Sequence, residues 1–182
     1  NPKFTLDITK KDAEDGTTLL ENVEFTLEKL DESGNVVENS AKYGVTDTNG
    51  KLMLKENGTV TNKSAFTGLE AGKYRLTETK AKAGYNLLSA PIEVEFTKTG
   101  QCLLNRVNVE VSTNDTDKPT GFIKYGNDSY TLKLTVLNRK TPTLPHTGAD
   151  APSLWLLIGL PLAVAGLLIL VFRYNKKGGR TR

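Results

Sequence analysis

The chain has 182 residues, 37% hydrophobic and 25% charged, which is ordinary for a globular protein and suits one domain with accessory segments. Its net charge of +3 comes from the C-terminus, where Arg173, Lys176, Lys177, Arg180 and Arg182 lie. The remainder is slightly acidic, which argues against a nucleic-acid surface. One cysteine excludes an intrachain disulfide, and one histidine leaves neither a metal cluster nor a nucleophile–His–acid set.

Asn1-Pro2-Lys3 offers neither a start methionine nor an apolar leader, so the chain is expected to be the C-terminal piece of a longer polypeptide. From there to about residue 141 it reads as β. Alternating segments recur in order: FTLDITK, VEFTLEKL, YRLTETK, IEVEFT, VNVEVS and YTLKLTVLN. Turn signals separate them, among them Asp15-Gly16, Ser33-Gly34-Asn35, Thr48-Asn49-Gly50, Ala83-Gly84, Thr99-Gly100 and Gly126-Asn127. Many short strands with Gly/Asn turns predict an all-β antiparallel sandwich or barrel, one domain over residues 1–141. Cys102 sits among apolar neighbours with no adjacent base and reads as a small buried hydrophobe. The stretch from about Gln101 to Ser129 has no evident strand partner.

Side chains alternate faces along a strand. Phe4, Leu6 and Ile8 share a face, and Lys10 is next on it; Tyr74 and Leu76 lead in the same way to Glu78, and Leu132, Leu134 and Val136 to Asn138. Three apolar rows thus end in Lys, Glu and Asn. Parity leaves two readings open, because strand ends are also where lysines snorkel and acids meet water. Lys11 is a rival amine on the opposite face. Asp12 shares the parity of Lys10 but is expected to begin the turn.

After a linker over residues 142–152, Ser153 to Phe172 is an uncharged run of 20 residues. At about 1.5 Å per residue it spans roughly 30 Å, enough to cross a bilayer as one helix. Pro161 within it is tolerated in lipid, and the basic tail of residues 173–182 should stay cytoplasmic. Immediately before the run lies Leu144-Pro145-His146-Thr147-Gly148. Pro145 stiffens this peptide, Gly148 leaves little bulk past the Thr147–Gly148 bond, and His146 reads as a solvated spacer.

Motif, apolar span and basic tail, in this order, resemble the LPxTG sorting signal of Gram-positive surface proteins. The resemblance implies membrane insertion before processing and sortase cleavage between Thr147 and Gly148. The Thr147 acyl group would then pass to a neighbouring pilin lysine or a peptidoglycan cross-bridge. Upstream, ITKKDAEDG followed by VEFTL, then TDTNGK, then GLEAGKYRLTETKAKAGY resemble in turn the opening, central turn and E-box of Cna B-type (SpaA-type) domains. Lys82 departs from that pattern, where proline is usual. The resemblance implies a prealbumin-like, inverse Ig-like sandwich with an intramolecular isopeptide bond between Lys10 and Asn138, assisted by Glu78. It implies no cofactor and no turnover enzyme. The expected role is a wall-proximal structural module, foremost of a pilus. The alternatives are the stalk of a host-binding adhesin, with its ligand site in upstream domains, or of a wall-anchored enzyme.

Overall fold

A computed structural model describes residues 1–113 and 120–142. The described residues form strands and loops without helix: β1 (Lys3–Asp12), β2 (Glu24–Leu30), β3 (Lys42–Thr46), β4 (Leu52–Glu56), β5 (Thr59–Ser64), β6 (Phe66–Leu69), β7 (Gly72–Lys80), β8 (Ile92–Phe96), β9 (Cys102–Leu104), β10 (Val107–Val109), β11 (Val111–Ser112), β12 (Gly121–Tyr125) and β13 (Ser129–Asn138). They make two sheets. One runs β11-β12-β13-β1-β6, the other β10-β9-β8-β7-β2-β3-β4-β5. Asn1–Thr141 forms one compact unit.

The expected alternation governs the packing. Phe4, Leu6, Ile8, Leu132, Leu134 and Val136 from the first sheet are buried against Phe25, Leu27, Leu76, Val94 and Phe96 from the second. The core changes character along β1. At its start, Phe4 stacks on Phe96 with ring centroids 4.5 Å apart and on Tyr130 at 5.5 Å. Aliphatic side chains follow, and the far end is polar.

Two features differ from the sequence reading. The sandwich is antiparallel in most pairings, but β1 and β13 run parallel, in register from Lys3↔Ser129 to Asp12↔Asn138. First and last strands are joined by no turn, so no hairpin forces them antiparallel, and either direction would satisfy the same apolar alternation. The segment VNVEVS is also not one strand. It breaks at Glu110, so that β10 borders one sheet and β11 the other. The stretch without an evident partner supplies β9, which pairs with β8, and β12, which pairs with β13 across the turn at Gly126. Cys102 is fully buried, and burial pushes its thiol up to about 12.

Candidate functional site where three strands end

Lys10 is held by its backbone before its side chain is considered. On the edge of β1 away from β13, its N–H donates to Gly50 O at 2.7 Å and its carbonyl accepts from Leu20 N at 3.0 Å. Gly50 has φ +66°, and a Cβ there would lie 2.6 Å from Lys10 O, so the DTNG turn seats on β1 because it carries no side chain at that point. β7 carries Glu78 on the face of Tyr74 and Leu76. The β2–β7 register slips just beyond it, with Phe25 opposite Glu78 but Glu24 opposite Lys80. This bulge leaves Thr79 unmatched and ends the alternation after Glu78 has been turned inward. Asn138 closes β13, directly across from Asp12 and diagonal to Lys10.

All three side chains point between the sheets, with relative exposures of 0% for Lys10, 6% for Glu78 and 2% for Asn138. Lys10 Nζ donates to Asn138 Oδ1 at 2.6 Å and to Val136 O at 3.2 Å. Asn138 Nδ2 donates to Glu78 Oε1 at 2.5 Å. Glu78 Oε2 lies 4.0 Å from Lys10 Nζ and is a buried oxygen without a hydrogen-bond partner. The open reading from parity is thereby decided: none of the three is a solvated strand end. Lys11 lies on the outer face and is partly exposed.

The surroundings penalise charge on both ionisable groups. Burial brings the Lys10 ammonium down to about 8, against the opposing pull of Glu78. Burial likewise raises the Glu78 carboxyl above the usual carboxylate range, although the Asn138 amide and Lys10 favour its ionised form. In the protonation state with Lys10 uncharged and Glu78 protonated, which burial favours, an amine facing a carboxamide carbonyl with an acid beside the amide nitrogen would be suited to acyl transfer from nitrogen to nitrogen. Glu78 contacts the nitrogen of the amide, and the carbonyl oxygen belongs to Lys10.

Asp12 is the residue whose placement the sequence reading misses. It ends β1 and opens the turn as expected, its carbonyl accepting from Gly16 N at 3.0 Å, but its side chain is 1% exposed. Tyr85 Oη donates to its Oδ2 at 2.9 Å, Lys140 Nζ lies 3.2 Å from the same oxygen, and Glu14 N donates to Oδ1 at 2.7 Å. Its parity with Lys10 is the available signal. An open groove of about 350 Å³ bordered by Leu30, Lys73, Glu93 and Arg106 shares no residue with either cluster. Among the described residues no group of His, Cys, Asp or Glu could hold a metal ion. The motif Leu144, Pro145, His146, Thr147 and Gly148, the apolar run and the basic tail lie outside the described residues.

Comparison with known proteins agrees with the two halves of the chain. Residues 4–110 match a family of prealbumin-like fold domains, SpaA, and residues 138–177 match the LPXTG cell wall anchor motif. No curated protein matches. Among solved structures, the C-terminal fragment of the pilus adhesin SpaC from Lactobacillus rhamnosus GG is 21% identical, with a TM-score of 0.49 over 79% of this chain and 47% of that one. The Bacillus anthracis TIE protein is 26% identical, with a TM-score of 0.46 over 78% of this chain and 18% of that one. BcpA, the major pilin subunit of Bacillus cereus, is 21% identical, with a TM-score of 0.43 over 77% of this chain and 31% of that one. The chain thus spans less than half the length of each.

Proposed function

Because the chain belongs to the SpaA prealbumin-like fold family and carries an LPXTG motif that marks it for covalent anchoring to the Gram-positive cell wall, we propose that it is a wall-proximal pilus module stiffened by an amide bond it forms itself between Lys10 and Asn138. At the coarser level it is a sortase-anchored surface module of the pilus or adhesin kind. The pilus role rests on a mechanical argument: subunits joined end to end carry tension in series. That is the condition under which a covalent bridge between first and last strand is useful. Thr147 would be the residue transferred by sortase to a pilin lysine or to the peptidoglycan cross-bridge.

The observation that carries the cross-link is the convergence of Lys10 Nζ, the Asn138 carboxamide and the Glu78 carboxyl from three strands in a dry interior, at 2.6 and 2.5 Å. In the proposed step the uncharged Lys10 nitrogen attacks Asn138 Cγ. Glu78 donates its proton to Nδ2 as the Cγ–Nδ2 bond breaks, and the proton lost by Lys10 returns to the carboxyl through Oε2. One N–C bond forms, one breaks, and ammonia leaves. Fixed proximity supplies what a diffusing amine lacks, with effective molarities on the order of 10⁵ M or more for well-aligned groups. The nucleophile is consumed, so the module acts once.

The intact mass of residues 1–147 should be short by one ammonia, and Lys10→Ala, Asn138→Ala or Glu78→Ala should each restore the full mass. A parental mass equal to the summed residues would remove the cross-link. In cells, Thr147→Ala should release the protein from the wall fraction; retention there would mean that the apolar run is a permanent anchor.

The rate of ammonia loss should be bell-shaped in pH. With both groups protonated the amine has no free lone pair. With one proton gone, the remaining proton can sit on Glu78 while Lys10 is free, which is the active form. With both gone the amine is free but no acid meets the departing nitrogen. Since Lys10 is brought down to about 8 and Glu78 is raised, the limbs converge: the alkaline limb falls near pH 8 and the acid limb above the ordinary carboxylate range. Stopped-time mass spectrometry on nascent chain reads this directly, and a rate that climbs without limit well above pH 8 would exclude Glu78 as the acid.

A further inference from the structure

We propose that Asp12, Tyr85 and Lys140 are positioning residues for this amide formation, a clamp that holds the three reacting strands together at their open ends; the inference rests on the cross-linking reading above. The placement argues for it first. Asp12 lies two positions beyond Lys10 on β1, Lys140 two positions beyond Asn138, and Tyr85 on the segment that follows Glu78 and β7. Each strand that supplies a reactant leads, within itself or in the segment that follows it, to one member of a second polar cluster.

The contacts argue for it next. Asp12 is buried, so its carboxylate is stabilised only by the partners it finds there. These are Tyr85 Oη at 2.9 Å and Lys140 Nζ at 3.2 Å on Oδ2, with Glu14 N at 2.7 Å on Oδ1. Lys140 Nζ also reaches Glu14 Oε2 at 3.2 Å. A short backbone seam runs beneath the cluster. Tyr85 bridges Lys140, Asn86 N donates to Arg139 O at 3.0 Å, Thr141 N to Gly84 O at 2.8 Å, and Ala13 N to Asn138 O at 2.8 Å.

The physical need is specific. Asn138 is the last residue of β13, and strand ends fray. The chain beyond it is caught against the loop carrying Tyr85 and against the end of β1, so the carboxamide cannot swing away from Lys10 and Glu78. The clamp touches no reacting atom; it narrows the range of positions from which the amine and amide meet.

The test follows cross-linking in freshly synthesised full-length chain, quenched in denaturant at intervals and weighed intact. Tyr85→Phe and Lys140→Met should slow ammonia loss by about 10- to 100-fold, the scale expected for displacing reacting groups by up to an ångström. Lys140→Arg, which keeps a charged donor, should return the rate to near the parental value. The same substitutions in a Lys10→Ala background, where no cross-link can form, report the folded fraction by circular dichroism. Slowing no greater than the loss of folded fraction would reduce the cluster to a structural ion pair and overturn the proposal, as would parental rates in both variants. A parental chain that loses no ammonia at all would instead strike the cross-linking reading itself.

Discussion

Pulled from its two ends, the module should extend by almost nothing at forces below those that break covalent bonds, whereas Lys10→Ala should yield in one step of roughly 420–460 Å. The difference follows from topology. Tension entering at Asn1 runs along β1, and tension leaving after Asn138 runs along β13. Because the two strands are parallel neighbours, the ends are pulled in opposite directions along ten paired positions, a shear geometry. An amide between Lys10 and Asn138 carries the tension across from one strand to the other, and the 128-residue separation between them never enters the path. Without it, those residues are free to extend at about 3.3–3.6 Å each. Only β1 up to Lys10 stays under tension in the linked form, and a strand is already nearly extended. A full-length step in the parental protein, seen by single-molecule force spectroscopy, would show that tension is not diverted in this way.

Much of this arrangement is visible in the sequence, for a definable reason. Alternation is a local property, so the burial of Phe4, Leu6 and Ile8 and the inward turn of Lys10, Glu78 and Asn138 follow from parity within single strands. Properties that belong to pairs of distant segments are not legible in that way. Nothing in FTLDITK or YTLKLTVLN states that the two lie side by side and parallel, although the diagonal contact of Lys10 with Asn138 depends on it. The orientation of the Asn138 amide, with nitrogen toward Glu78, is set by three converging side chains and is likewise invisible to each strand alone. At Asp12 both local signals hold: parity turns its side chain inward, and the following Ala-Glu-Asp-Gly makes it the start of a turn. Its partners are not legible locally, because Tyr85 reaches Asp12 only through the loop after β7 and Lys140 only through the exit of β13. The short strands β9 and β12 fail for a related reason: they have three and five residues, too few for periodicity to distinguish a strand from a loop.

Removing the proposed cross-link while keeping the shape of the site should lower the thermal midpoint by about 15–25 °C. Glu78→Gln is the appropriate substitution. The replacement side chain is isosteric, its amide oxygen can still accept from Asn138 Nδ2, and it lacks the proton that the departing nitrogen requires, so the variant's mass should retain the ammonia. By the chain-entropy argument used for disulfides, closing a loop of this size is worth about 5 kcal/mol. For a domain of this length each kcal/mol moves the midpoint by roughly 3–5 °C. Lys10→Ala should fall further, because it also opens a cavity and leaves the buried Asn138 oxygen without its donor. The pH dependence separates the bond from the packing. In unlinked Glu78→Gln the Lys10 amine still titrates, and burial holds its folded-state value at or below about 8, since the attraction of Glu78 that opposed the fall is gone. Between that value and the ordinary lysine value of 10.5 the unfolded chain binds more protons than the folded one, so stability rises with pH. In the linked parent the same nitrogen is an amide and does not titrate. The gap in midpoint between parent and variant should therefore narrow as the pH rises from about 8 toward 10.5. Melting curves that stay the same distance apart over that range would mean that Lys10 carries the same charge in both, and so that its nitrogen has not been acylated in either.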